Sequence, residues 1–251
     1  MNRSKWQQRI DRAGGLAVAH PFAAEVLEFY QRIATVQQEL YAHSEGPSDG
    51  ARFAGFLATV EQCAPRSLAQ SARDLQAQGD GRWQDLLTSF WQTASDFQPT
   101  PEQPEGLLAW MFLQPHAECL ADRRGPMAPQ ETRAVCPFCG GKPLVGVLRP
   151  EGDGAKRSLI CSLCATEWTF GRILCPACGE EAVEKLAVYT ATQFDYIRVE
   201  ACDTCRHYIK TVDLTRNGHA VPVVDELATL PLNLWAQDHG YKKLQPNLLG
   251  I

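Results

Sequence analysis

The sequence predicts an α+β chain: an N-terminal α-helical domain, two tandem small β modules that each carry a four-cysteine metal site, and a C-terminal helical tail. Three observations predict it. Apolar residues recur at helical spacing as far as residue 112, short β-branched segments replace them beyond residue 125, and four Cys-x-x-Cys pairs punctuate that second part. The corresponding divisions are 1–130 for the helical domain, 131–174 and 175–219 for the two modules, and 220–251 for the tail.

The helical domain rests on four apolar stripes. Phe22, Val26, Phe29, Tyr30, Ile33 and Leu40 follow the i, i+4, i+7 rhythm, with Pro21 placed where a first helical turn accepts proline. Phe53, Phe56, Leu57 and Val60 form a second stripe, Trp83, Leu86, Leu87, Phe90 and Trp91 a third, and Leu107, Leu108, Met111 and Phe112 a fourth. Gly- and Pro-rich loops at 44–50 and 98–104 separate them. Such aromatic stripes are read as core, because burying apolar faces is what they ordinarily do. Cys63 and Cys119 have no CxxC partner and are read as buried thiols. Arg123 and Arg124 are read as a solvated linker pair.

The second part is expected to be strand-rich. Pro143–Arg149 and Arg157–Ile160 flank PEGDGAK, which reads as a hairpin turn. Further strands are expected at Glu167–Ile173, Val183–Tyr189, Tyr196–Glu200 and Tyr208–Leu214. Trp168 is placed as packing over a cysteine knuckle. In the tail, Leu227, Leu230, Leu234 and Trp235 fall roughly on one helical face, read as docking onto the helical core, and Pro231 marks a break or restart of that helix.

The cysteine pairs are Cys136/Cys139, Cys161/Cys164, Cys175/Cys178 and Cys202/Cys205. The first and third read CPFCG and CPACG, with proline after the first Cys and glycine after the second; CSLC and CDTC lack both features. The asymmetry recurs at intervals of 39 residues (Cys136 to Cys175) and 41 residues (Cys161 to Cys202). This is a tandem repeat, so Cys136, Cys139, Cys161 and Cys164 are assigned to one site and Cys175, Cys178, Cys202 and Cys205 to another. A crossed pairing, first with third and second with fourth, is the alternative. Two residues between cysteines allow a tight knuckle that aims both sulfurs at one ion, with backbone N–H groups directed at the thiolates and Gly140 or Gly179 free to take a positive φ. A tetrahedral set of four sulfurs suits zinc and also a single iron, so two ions per chain, Fe or Zn, are expected. A redox dithiol would instead show a lone CxxC opening a helix in a βαβ setting.

Charge and motifs narrow the function classes. The net charge is −5, and residues 135–251 carry 12 Lys and Arg against 13 Asp and Glu, a poor surface for phosphates, so no nucleic-acid partner is expected. The amino end lacks an apolar signal core, and the longest apolar run, Gly106–Gln114, is too short for a bilayer, so a cytoplasmic chain without membrane insertion is expected. There is no P-loop or HExxH, and the six histidines lack ligand spacing.

CPFCGGKP, CSLCATEW and CDTCRHYIK, together with the tail VDELATLPLNLWAQDHGYKKLQPNLLGI, closely resemble the formate dehydrogenase accessory protein family, FdhE-like. LAVAHPFAAEVLEFYQRIATVQQEL resembles that family's amino-terminal helical part. The resemblance implies rubredoxin-like or zinc-ribbon-like modules behind a helical domain. It implies a cytoplasmic maturation chaperone, not an enzyme, that binds the catalytic subunit of a respiratory formate dehydrogenase before twin-arginine export. Self-association is compatible with it. A rubredoxin-like electron-transfer protein is the runner-up, and a zinc-ribbon nucleic-acid module the third reading.

Overall fold

The computed structural model describes residues 4–44, 46–47, 49–100, 102–125, 132–247 and 250. The chain divides into two compact units near Gly125, so the expected division between residues 130 and 131 lies outside the described residues.

The first unit is helical: α1 (Lys5–Ala19), α2 (Ala24–Ala42), α3 (Gly50–Cys63), α4 (Arg66–Gln78), α5 (Asp80–Thr93) and α6 (Pro104–Arg124). Side chains start two of these helices: the Ser4 hydroxyl accepts from the Gln7 N–H and the Asp49 carboxylate from the Arg52 N–H. Gly79 and Gly125, both at φ 78°, end α4 and α6. Pro21 opens a short 3-10 turn, with α2 beginning three residues later. Arg123 and Arg124 form the last turn of α6, where cations favour the carboxyl end of the helix dipole; they are not a linker pair.

Helix α6 is buried on nearly every side and packs against α2 through α5. Phe53, Phe56 and Phe112 meet there, with Phe53 and Phe112 ring centroids 4.9 Å apart, so these stripes are core, whereas Phe22, ahead of α2, is exposed. Pro115 has no N–H for the Met111 carbonyl one turn back. The buried Gln37 amide supplies the missing donor at 2.7 Å. Another buried tie crosses from α1 to α6, where Arg9 and Lys5 hold Glu118 at 2.7 and 3.0 Å. Cys119 is buried as expected, but Cys63, at the end of α3, is only half-buried.

The second unit is one seven-stranded sheet. Its strands are β1 (Pro143–Glu151), β2 (Gly154–Cys161), β3 (Glu167–Thr169), β4 (Leu186–Thr190), β5 (Ile197–Cys202), β6 (His207–Asp213) and β7 (Lys242–Lys243). The order is β3-β2-β1-β6-β5-β4, with β7 beside β6. The β1–β2 hairpin turns at Gly152, φ 55°. The segments 143–169 and 186–213 each contribute an antiparallel meander. They join through a parallel seam in which Gly146, Val147 and Leu148 of β1 pair with Thr211, Val212 and Asp213 of β6. Gly146 is required there, because a Cβ would lie 2.2 Å from the Thr211 hydroxyl oxygen.

Two expected strands are shorter than their sequences suggest. β3 stops at Thr169, and Val183–Lys185 is a 3-10 turn that precedes β4. The tail forms α7 (Pro222–Ala228) and α8 (Leu230–Asp238), separated at Thr229 with Pro231 in the first turn of α8. It docks on the sheet: α7 packs against β1 and β6, and β7 extends β6 in parallel. Leu227 is buried there, whereas Leu234 is exposed. Under α7, Lys210 of β6 reaches Glu226 at 3.0 Å and the Thr229 hydroxyl at 3.1 Å; Lys243 of β7 meets the same Glu226 carboxylate, and Asn247 donates to its other oxygen. No helix among the described residues is long and apolar enough to cross a membrane.

Candidate metal centres

The four cysteine pairs form four knuckles closed by one repeated pattern. In the first, the Cys136 N–H donates to the Gly141 carbonyl at 2.8 Å and the Gly140 N–H returns to the Cys136 carbonyl at 3.0 Å. The third repeats this with Cys175, Glu180 and Gly179 at 2.9 and 3.0 Å. The second ties Cys161 N–H to the Thr166 carbonyl, and the fourth ties Arg206 N–H to the Cys202 carbonyl. The residue after the second cysteine takes a positive φ in each case: Gly140 at 77°, Ala165 at 52°, Gly179 at 78° and Arg206 at 58°. Glycine makes this conformation free of steric cost in the first and third knuckles; Ala165 and Arg206 adopt it against their Cβ. Amides of Phe138, Leu163 and Ala177 point at the Cys136, Cys161 and Cys175 sulfurs, each at 3.4 Å.

The fold brings these knuckles together as two clusters, each with its sulfurs within 4.8 Å of one another: Cys136, Cys139, Cys161 and Cys164, and Cys175, Cys178, Cys202 and Cys205. In the first, Cys136 to Cys164 is 3.6 Å and Cys139 to Cys161 is 3.4 Å; in the second, Cys175 to Cys205 is 3.8 Å and Cys178 to Cys202 is 3.7 Å. A tetrahedron with metal–sulfur bonds of about 2.3 Å has edges of about 3.8 Å, so both sulfur sets fit a four-coordinate ion. The crossed arrangement would need sulfurs from different clusters to meet. Both clusters could hold metal ions.

The titration of these thiols shows what a cation would resolve. Hydrogen bonds from the other three thiols, Cys139 first, hold Cys136 well below its ordinary value, whereas burial pushes Cys161 well above it. In the second cluster burial raises Cys175 and Cys205. Burial also opposes the Cys202 thiolate, but the amides of Cys205 and Thr204 bring that thiol down overall. Few protons leave such a cluster together without a compensating positive charge.

The centres differ in cover. Three cysteines of the first are buried and Cys139 is half-buried, while the second exposes Cys178. Several supporting residues lie outside the cysteine pattern. A Cβ on Gly141 would sit 3.3 Å from the Cys161 sulfur and 3.4 Å from that of Cys139, so the second glycine of CGG keeps the cradle open. At the matching place Glu180 accepts from the Ala182 N–H and from the Thr204 hydroxyl at 2.6 Å, tying the third knuckle to the fourth. Thr166 meets the Cys164 sulfur at 3.1 Å. Trp168 is buried and donates to the Arg133 carbonyl at 2.9 Å, holding the approach to Cys136. The CGG and CGE triplets were the available signal for Gly141 and Glu180; nothing in the sequence marked Thr166. Among the described residues no histidine joins either cluster.

Comparison with known proteins follows the same division. Residues 135–172 match the FdhE central domain and residues 173–249 the FdhE C-terminal domain. A protein FdhE homolog of Aquifex aeolicus is 36% identical over 141 residues, 55% of this chain and 50% of that protein. One of Pseudomonas aeruginosa is 36% identical over 133 residues, 50% of this chain and 42% of that protein. The chain therefore spans half or less of the length of these two relatives. A homolog of Shewanella oneidensis aligns over 98% of this chain and 89% of its own length at 26% identity. The crystal structure of the FdhE protein from Pseudomonas aeruginosa shares the fold, with a TM-score of 0.74 at 24% identity, covering 99% of this chain and 97% of that one. Twin knuckle clusters on one sheet and two consecutive domain matches lead to one conclusion: residues 135–249 are similar to the central and C-terminal domains of the FdhE family.

Proposed function

We propose that this protein is a cytoplasmic accessory factor that binds the catalytic subunit of a respiratory formate dehydrogenase before twin-arginine export and raises its activity without turning over a substrate of its own. The single observation that carries the reading is the pair of four-cysteine clusters on a shared sheet, within the two FdhE-domain matches at residues 135–249. Cys136, Cys139, Cys161 and Cys164 would hold one ion, and Cys175, Cys178, Cys202 and Cys205 the second, iron or zinc in each. A bound ion supplies charge neutralisation and cross-links four thiolates. The chain's own part is to aim the amides of Phe138, Leu163 and Ala177 at the sulfurs and to keep the knuckles in register through Trp168 and Glu180. The centres then act by holding a client-binding surface in shape.

The exposed Cys178 favours electron transfer as the second reading, because a surface-reaching centre is what such a role needs. The first six helices, which a small carrier would not require, weigh against it. The test is a strain lacking the gene, assayed for formate-dependent dye reduction and complemented with wild type or Cys→Ser variants, alongside a crosslinked pull-down of the catalytic subunit. Loss of activity restored only by wild type, with the subunit recovered, is expected. Unchanged activity without client recovery would overturn the accessory reading. A reversible reduction of the purified protein would then put electron transfer first.

A further inference from the structure

The two faces of the sheet are used differently. One face carries Lys210 and Val212 beneath the tail helices. On the other, the strands floor a cavity of about 510 Å³ whose far wall is the segment from Arg172 to Ala177 leading into the second centre. Three of the five exposed large apolar side chains described in this unit, Ile173, Val183 and Val188, at 55%, 64% and 54% exposure, converge on this cavity. Exposed apolar groups clustered on one concavity mark a binding surface, whereas scattered ones do not.

The rim of the cavity is also an open strand edge. Among the described residues β4 pairs only with β5, and its sequence LAVYT contains no charge and no proline, the usual protections of an edge. Within the cavity, Arg157, Arg172 and Arg198 face a single carboxylate, Glu200. That carboxylate is already held by Arg157 at 2.6 Å. Arg198 approaches it at 3.3 Å without hydrogen-bond geometry, leaving its Nε buried and unsatisfied. Arg198 lies four residues along β5 from Cys202, about 13 Å in a strand.

We propose that this groove binds an extended segment of a partner protein by adding it as a strand to β4, with alternating apolar and acidic side chains directed into the cavity. Main-chain hydrogen bonds to the free edge supply affinity. Apolar side chains seat against Val188, Ile173 and Val183, and an acidic one answers Arg198. Alternate residues of a strand lie about 7 Å apart on one face, and the five residues of β4 extend about 17 Å, so two or three side chains enter the groove. The identity of the partner as the formate dehydrogenase catalytic subunit rests on the accessory reading above; the chemistry of the groove does not.

The test uses the full-length, metal-loaded protein and a fluorescein-labelled octapeptide in which valine and glutamate take turns at every second position with threonine between them, so that one face of the strand presents both. The controls are the same peptide with lysine in place of glutamate, and one of the same composition with both valines ahead of both glutamates. The alternating acidic peptide is expected to bind, to slow amide exchange across Leu186–Thr190, and to weaken roughly tenfold or more with Val188→Asp or Ile173→Asp, since each places a charge in an apolar seat. Arg198→Gln is expected to weaken the acidic peptide selectively. Metal content of two ions per chain verifies that a variant is folded; should Val188→Asp lose metal, Ile173→Asp and Val183→Ser, both outside the strands, are read instead. Equal binding of the lysine peptide, no protection of β4, or indifference to the rim variants would overturn the proposal. So would sedimentation showing that the edge is filled by a second copy of this chain. If wild type and Val188→Asp restore formate dehydrogenase activity equally, the groove reading fails and the accessory role stands; if the peptide binds but the deletion strain is unaffected, the reverse holds.

Discussion

Replacing Glu226 with glutamine isolates the charge that fastens the tail to the sheet. Glu226 is fully buried, and its carboxylate faces two buried ammonium groups, Lys210 at 3.0 Å and Lys243. The substitution keeps the shape and removes the carboxylate that both lysines share. Leaving one partner of a buried pair unmatched costs about 3–5 kcal/mol. A second route gives a similar ceiling: keeping an amine of ordinary value 10.5 neutral at pH 7 costs about 5 kcal/mol, so a stranded lysine loses its proton before the cost grows much larger. The expected loss is therefore about 3–5 kcal/mol in the β unit. It is read in urea as release of bound metal to a chromogenic chelator, a signal the helical unit does not contribute to. The triple variant Lys210→Met, Glu226→Leu, Lys243→Met is expected to recover most of the loss, because apolar groups of similar volume replace buried ions at little cost. A Glu226→Gln midpoint within about 1 kcal/mol of wild type, or a triple variant worse than the single one, would refute the account of the tail as held by charge.

Other outcomes follow from the same physics. Cys136→Ser is expected to empty the first centre, leaving one ion per chain, with the cysteines of the second centre still protected from alkylation; elemental analysis and thiol mapping decide it. Because Cys178 is exposed, a competing chelator is expected to strip the second centre faster than the first, giving two kinetic phases of equal amplitude. Ala165→Gly relieves a left-handed conformation at φ 52° and is expected to stabilise the β unit by about 0.5–1 kcal/mol, measured as a higher urea midpoint. Burial pushes Lys210 down to about 8 from 10.5, so the folded chain sheds this proton first; between about pH 8 and 10.5 the unfolded chain holds more protons, and this residue's contribution to stability rises with pH. Comparing urea midpoints of wild type and Lys210→Met from about pH 7.5 to 10 should show a steeper rise in wild type, the remainder coming from Lys243, which burial also lowers.

How much of this was legible in the sequence depended on the range of the interaction. The grouping of the eight cysteines followed from a local contrast, CPxCG against CxxC, because a knuckle is built within six residues. The apolar stripes of α2, α3, α5 and α6 were likewise local. Helices α1 and α4 carry weaker marks: α1 has Gly14 and Gly15 in its interior, and α4, RSLAQSARDLQAQ, buries only Leu68, Ala72 and Leu75, too thin a stripe to stand out. The seam of β1 with β6 had no local mark except Gly146, whose reason lies 65 residues away at Thr211. The tail's docking on the sheet was hidden in the same way, since Lys210, Glu226 and Lys243 read singly as surface charges. The positive φ at Ala165 and Arg206 ran against residue preference, so only the repeat of the knuckle could have suggested it.

The parallel seam also orders events in time. All four cysteines of the first centre have been made by residue 164, and its hairpin is sequence-local, so this part of the chain can gather its sulfurs early. Strand β1, however, lacks its inner neighbour until residues 207–213 have been synthesised and have crossed back over the intervening meander. Contacts of such long sequence separation form late, because the connecting loop must first be closed. Gathering of the first four sulfurs and completion of the sheet are thus two separable steps in the birth of this protein, and a newly made chain passes through a stage in which one cysteine cluster is assembled while the flank of β1 is still bare.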